Sequence, residues 1–175
     1  VPPEGVPECS SMTLPLADLR TVGGAAGLAR WVRLCSVHPR ATEVAVSPVR
    51  HGTARAEVEL LTLGSALEYW VAAHRHLKWA KKQPKVKGQS QQAGFARAIA
   101  SQAGGPFRSW VGDIERWCTE FANAYNGLKH DPKFGIDEQV LRDLVVSARF
   151  LLLAVLLNRV SGSRAPAAAI FVTIA

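Results

Sequence analysis

The chain has 175 residues, 48% of them apolar, and a formal net charge of +7. That length can bury one substantial core without disulfide or metal staples, and it argues for one domain rather than two. Cys9, Cys35 and Cys118 are odd in number, far apart and without a Cys-x-x-Cys pair, which speaks against a disulfide framework or a zinc site and for a reducing, cytoplasmic setting with no cofactor.

The first stretch, Val1 to about Leu14, is punctuated by Pro2, Pro3, Gly5 and Pro7 and reads as a flexible lead-in. It has no basic-then-apolar leader and no initiator Met, so the chain reads as a domain of a longer protein. Leu19, Val22, Leu28, Trp31, Val32 and Leu34 predict a helix over Leu16 to Ser36, weakened near Gly23 and Gly24 and ended by His38-Pro39. Val44, Val46 and Val49 then suggest either a short extended piece or a packed connector up to Gly52. Residues 1–52 together form an N-terminal helical extension in this reading.

The strongest periodicity follows. Val58, Leu61, Ala66 or Leu67, Trp70, Ala73 and Leu77 trace a stripe built mostly of three- and four-residue steps and predict a long helix from Thr53 to Lys82. Lys81 to Gln92 reads as a solvated loop, and Gln91 to Gln102 as a shorter helix ended by Gly104 and Gly105. Pro106 is placed to open a helix whose apolar face runs through Trp110, Ile114, Trp117, Cys118 and Phe121 and which stops at Asp131-Pro132. Asp137 is the expected N-cap of a nearly all-apolar, central helix from Glu138 to Asn158. Its most apolar run, Leu144 to Leu157, is broken by Ser147 and Arg149 and falls short of the roughly 20 residues that cross a bilayer, so no membrane role is expected. From Ser161 onward no pattern is readable, and residues 161–175 are expected to be a disordered tail. The fold class is all-α, a four- to five-helix bundle over residues 53–160.

Several side chains invite a chemical reading. Lys78, Lys81, Lys82, Lys85 and Lys87 fall within ten positions and account for five of the seven net charges; they form either a sequence-blind phosphate-binding loop for RNA or a solvated loop that aids solubility. His74 and His76 are two apart, which on a helix points them in roughly opposite directions and makes a poor metal pair, so no metal is expected. Trp70, Trp110 and Trp117 fit a core better than a base-stacking platform. Arg116 lies on the same predicted helix as His130 but about 20 Å along its axis.

The most informative segment is Asn123-Ala-Tyr-Asn-Gly-Leu-Lys-His-Asp-Pro132. Asn126 and His130 share a helix face, with Lys129 beside them. A histidine in the last turn faces the negative pole of the helix dipole, a setting suited to proton exchange. In RNA cleavage the attacking group can be the substrate's own 2′-hydroxyl, so a proton-transfer group and a cation near the phosphate suffice. A helix-end histidine beside a solvated lysine is the plainer explanation of the same residues.

Tyr125-Asn126-Gly127-Leu128-Lys129-His130 resembles the motif of HEPN domains, in which Arg is followed after four to six residues by His. Glu57 to Glu68, Phe107 to Trp117 and the Leu-rich stretch from Phe150 to Leu157 are similar to the Apea-like branch, and Gly27 to Pro48 resembles the connector that precedes it. The resemblance covers roughly residues 25 to 160. It implies a HEPN-type bundle and a metal-independent endoribonuclease of a prokaryotic defence or toxin system. It also implies a homodimer formed through the motif helices, and an antitoxin or adjacent domain as a further partner. His130 would transfer the proton, Asn126 would be the polar neighbour, Lys129 the cation, and Glu68 an acidic group facing the site. One position departs: Tyr125 stands where the family has arginine, and a phenol is no substitute for a guanidinium fork on phosphate. A degenerate, non-catalytic dimer that binds RNA or protein is therefore the alternative, and Tyr125→Arg is expected to raise activity if the rest of the site is competent.

Overall fold

The computed structural model describes residues 19–51, 55–81 and 90–173. The expected lead-in over residues 1–14 lies outside them, as do Lys82, Lys85 and Lys87. Among the described residues the fold is all-α, eight α-helices and one 3-10 turn with no strand.

The first helix, α1 (Gly24–Val37), starts beyond Gly23, and His38 ends it as expected. α2 (Pro39–His51) replaces the expected extended piece or connector. Proline is favoured in a first helical turn, where its fixed φ suits the helix, and Ala41, Thr42 and Ala45 form a buried stripe at helical spacing against which the valines carry no alternation. α3 (Ala56–Ala73) buries Leu60, Leu63, Ala66, Leu67 and Trp70. It stops well short of Lys82 because the backbone turns at His74 to His76, and a 3-10 turn at Lys78–Ala80 follows.

α4 (Gln91–Ala103) is capped by Ser90, whose hydroxyl accepts from the Ala93 N–H at 3.3 Å. The single helix expected from Pro106 to Asp131 is two: α5 (Gly105–Val111) and α6 (Ile114–His130). The break is encoded by Gly112, held at φ 73° where a side chain would be strained, and by Asp113, whose carboxylate accepts from the Glu115 and Arg116 N–H groups at 3.0 Å each. Asp137 caps α7 (Glu138–Ser161) in the same way. Leu141, Leu144, Val145, Ala148, Leu151, Leu152, Val155 and Leu156 are all buried, so α7 is the centre around which the other helices pack.

The stretch after Ser161 corrects the expectation of a disordered tail. It forms α8 (Ala165–Thr173), which buries Ala167, Ile170 and Phe171. The Phe171 ring packs at 5.3 Å from both Phe107 and Trp110, and the Ala167 N–H donates to Asn158 Oδ1 at 3.1 Å. The segment lacks polar residues to mark a surface side, so its amino acids show no helical period. Phe171→Ala should lower stability by about 3–5 kcal/mol, as for any large core aromatic, read as a reduced urea midpoint; a midpoint unchanged within error would mean that α8 is not part of the cooperative core.

Candidate functional site

α6 carries an aromatic row at four-residue steps. Trp117, Phe121 and Tyr125 lie one above another, with ring centroids 5.4 Å and 6.4 Å apart along the row. All three are buried, and the Trp117 indole N–H donates to Ser147 Oγ of α7 at 2.8 Å. Tyr125, 1% exposed, thus ends a core stripe rather than facing solvent. Its ring rests on Gly64 of α3, where a Cβ would come within 2.4 Å of Tyr125 Cδ2, so the crossing of α3 and α6 needs a residue without a side chain at that position.

Only the hydroxyl of Tyr125 reaches the polar edge. It lies 3.3 Å from Glu68 Oε2, to which it donates, 3.3 Å from Lys129 Nζ, from which it accepts, and 3.4 Å from Ser65 Oγ. The ammonium of Lys129 also stands 5.1 Å from the centre of the Tyr125 ring. The hydrogen bond to the Tyr125 hydroxyl, with the charge of Glu68 behind it, holds the Lys129 ammonium above its ordinary range. Asn126 points instead toward α4, donating to Gln92 Oε1 at 3.4 Å. His130 is exposed at the last residue of α6 and makes no hydrogen bond or ion pair among the described residues. The structure therefore gathers Glu68, Tyr125 and Lys129 into one contact, with Asn126 and His130 flanking it.

The remaining cations differ in how they are held. Arg97 is paired with Glu115, and Arg116 with Glu120 at 2.7 Å. Arg108 is exposed on α5. Lys78 and Lys81, the two described members of the lysine cluster, are exposed, while Trp79 between them turns inward onto the core. Burial pushes the Cys118 thiol up to about 12, so it offers no thiolate nucleophile. On α6 no large apolar side chain is exposed; those lie on other segments, such as Leu28 and Val32 of α1.

His74 and His76 do not share a helix, because α3 has already ended at Ala73. In the turn that follows, the two rings stack with centroids 6.3 Å apart, and His74 also meets Trp70 at 4.2 Å, His38 at 5.2 Å and Trp79 at 5.6 Å. His74 is buried and its Nδ1 lies 2.9 Å from the Trp70 carbonyl. A carbonyl only accepts, so Nδ1 carries the hydrogen. Trp70 is itself 1% exposed, and its indole N–H is buried with no partner among the described residues, an omission that costs on the order of 1–3 kcal/mol. Trp70, His74 and Trp79 line a cavity of about 280 Å3 bounded by the C-terminal ends of α3, α4 and α7. None of the residues expected to be catalytic lines it. The signal in the sequence is the four-residue step from Trp70 to His74, which sets an imidazole over an indole at a helix end.

No family model, curated protein or solved structure matches this chain.

Two measurements probe these arrangements. Gly64→Ala should destabilise the chain by about 1–3 kcal/mol through overpacking, whereas Tyr125→Phe, which keeps the ring and deletes only the hydroxyl, should cost no more than about 1.5 kcal/mol; equal losses in urea titrations would contradict the close approach. Burial, aided by the positive charge of Arg159, lowers the pKa values of His38 and His74 below their ordinary 6.5. The unfolded chain therefore takes up these protons first as the pH falls. Stability should be level above about pH 7 and decline as the pH drops through 6.5, and His74→Gln should flatten that decline; a urea midpoint independent of pH between 8 and 5.5 would contradict it.

Proposed function

We propose that this chain is an RNA-binding helical domain similar to HEPN domains, in which the end of α6 engages a phosphate without the fixed positive fork that cleavage requires. The observation that carries this reading is the Tyr125 hydroxyl lying between Glu68 and Lys129 at 3.3 Å from each. A guanidinium in that place would offer two parallel donors to a phosphate. The phenol offers one hydrogen, already directed at a carboxylate, so no fork is left for in-line cleavage. Lys129 and His130 remain exposed and able to meet an RNA backbone. Their contribution is electrostatic and indifferent to sequence. Lys78 and Lys81 are exposed as well.

A second reading, a metal-independent endoribonuclease of the defence or toxin kind, is favoured by one observation. His130 presents its imidazole to solvent with no partner among the described residues, next to Lys129. An imidazole open to solvent can act as the base toward a 2′-hydroxyl. The homodimer implied by the motif helices would set two such imidazoles near each other, and its interface on α6 would be polar, built from side chains such as Asn123 and Arg116.

The experiment compares wild type, His130→Ala and Lys129→Gln with single-stranded and structured RNA in the presence of a chelator. Binding that weakens steeply with salt, with no cleavage, is the expected result. Lys129→Gln should make the salt dependence shallower by about one unit for each phosphate that is no longer neutralised. Cleavage abolished in His130→Ala would replace the binding reading with the nuclease reading. Absence of binding at low salt would overturn both. Because the Tyr125 ring is packed on Gly64, Tyr125→Arg is expected to destabilise the fold rather than restore activity.

A further inference from the structure

The cavity at the C-terminal ends of α3, α4 and α7 is not used by the α6 site, and its chemistry is distinct. Two indoles, Trp70 and Trp79, contribute to its walls. Trp70 is 1% exposed and packed under His74, whereas Trp79 is half-buried and has a wide π-face on which a planar ring can stack. The indole N–H of Trp70 has no partner among the described residues. His74 has committed its Nδ1–H to the Trp70 carbonyl, and burial, reinforced by the nearby charges of His38, Arg159 and His76, holds its pKa down. The ring is therefore neutral near pH 7, and Nε2 is an acceptor with no partner among the described residues. One acceptor is thus left open at the lining, while the Trp70 N–H, fully buried, stays out of a ligand's reach.

The charge of the lining is one-sided. Arg159 and Arg164 border the cavity, no Asp or Glu does, and neither arginine has an ion pair among the described residues. Arg164 makes only a long contact, 3.5 Å, to the Ser101 carbonyl. Arg159 is exposed, with room to swing over an incoming anion. At about 280 Å3 the space lies at the lower edge of the range for small-molecule sites, enough for a single nucleotide and too small for an oligomer.

We propose that this cavity is a mononucleotide site, in which a nucleobase stacks on the Trp79 indole and its phosphate is held by Arg159 and Arg164. Every base carries an N–H donor on its pairing edge, so His74 Nε2 can accept from any of them. The site is accordingly one for nucleotides as a class. The ligand chemistry is shared by two sources, a free nucleoside monophosphate and the phosphorylated terminal nucleotide of an RNA strand.

Calorimetric titration of the full chain with AMP, GMP, CMP and UMP tests this, alongside adenosine, inorganic phosphate and a 5′-phosphorylated trinucleotide. The monophosphates should bind one per chain and at least tenfold more tightly than adenosine or phosphate alone. Arg159→Gln should weaken AMP binding at least tenfold without moving the urea midpoint, since the side chain is exposed, and Trp79→Ala should weaken it similarly. Arg116→Gln, an exposed arginine that does not line the cavity, should leave it unchanged. Trinucleotide binding as tight as AMP identifies a strand-end site, and binding of the free monophosphates alone identifies a free-nucleotide site; either supports the proposal. It is overturned if no monophosphate saturates, if inorganic phosphate binds as tightly as AMP, or if Arg159→Gln leaves the affinity unchanged. Because none of these residues belongs to the α6 end, loss of RNA binding there would leave the outcome unaffected.

Discussion

The seating of the Tyr125 ring on the bare Cα of Gly64 is the contact from which the arrangement of the α6 end follows. It lets α6 lie close on α3, and the aromatic row from Trp117 through Phe121 continues without a gap into that crossing. Close packing of this kind leaves little room for adjustment, because an interior at crystal-like density transmits even a methyl-sized change. With the ring fixed, the hydroxyl emerges within reach of Glu68, Lys129 and Ser65 and nowhere else. Polar geometry at the surface is thus set by an apolar contact beneath it.

The helices legible in the amino acids are those whose ends carry chemical punctuation. Asp137 announces the start of α7, Pro132 the end of α6 and Gly104 the end of α4. Sequence and structure part where a local signal is weak or ambiguous. The apolar pattern of α3 continues through Leu77, so nothing in it reveals that the backbone turns at His74. The α5–α6 break depends on Gly112-Asp113, a pair that a continuous apolar face conceals. α8 has too few polar residues to show a period, and its existence depends on a distant partner, Phe107, that no local pattern can supply.

For the chemical site, sequence spacing places Asn126, Lys129 and His130 on the last turns of one helix, and they are there. It does not separate them by what each touches. Asn126 is drawn to Gln92 of α4, Lys129 back to Tyr125, and His130 faces water. The resemblance implies that Tyr125 stands in for an arginine, whereas its four-residue step from Phe121 marks it as core. The group around Trp70, His74 and Arg159 has no motif at all. Those three come from two helix ends separated by more than eighty residues of chain and meet only because α7 returns alongside α3.

Asn158 has a place in this that goes beyond its two hydrogen bonds. Its amide donates to the Gln102 carbonyl of α4 at 3.3 Å and its oxygen receives the Ala167 N–H of α8 at 3.1 Å, so one side chain clamps three helices at the rim of the cavity. During synthesis from the N-terminus, the indoles and His74 leave the ribosome long before that clamp can close. The hollow between them takes its final outline only once α8 has emerged and docked, which makes it the last piece of this architecture to be completed.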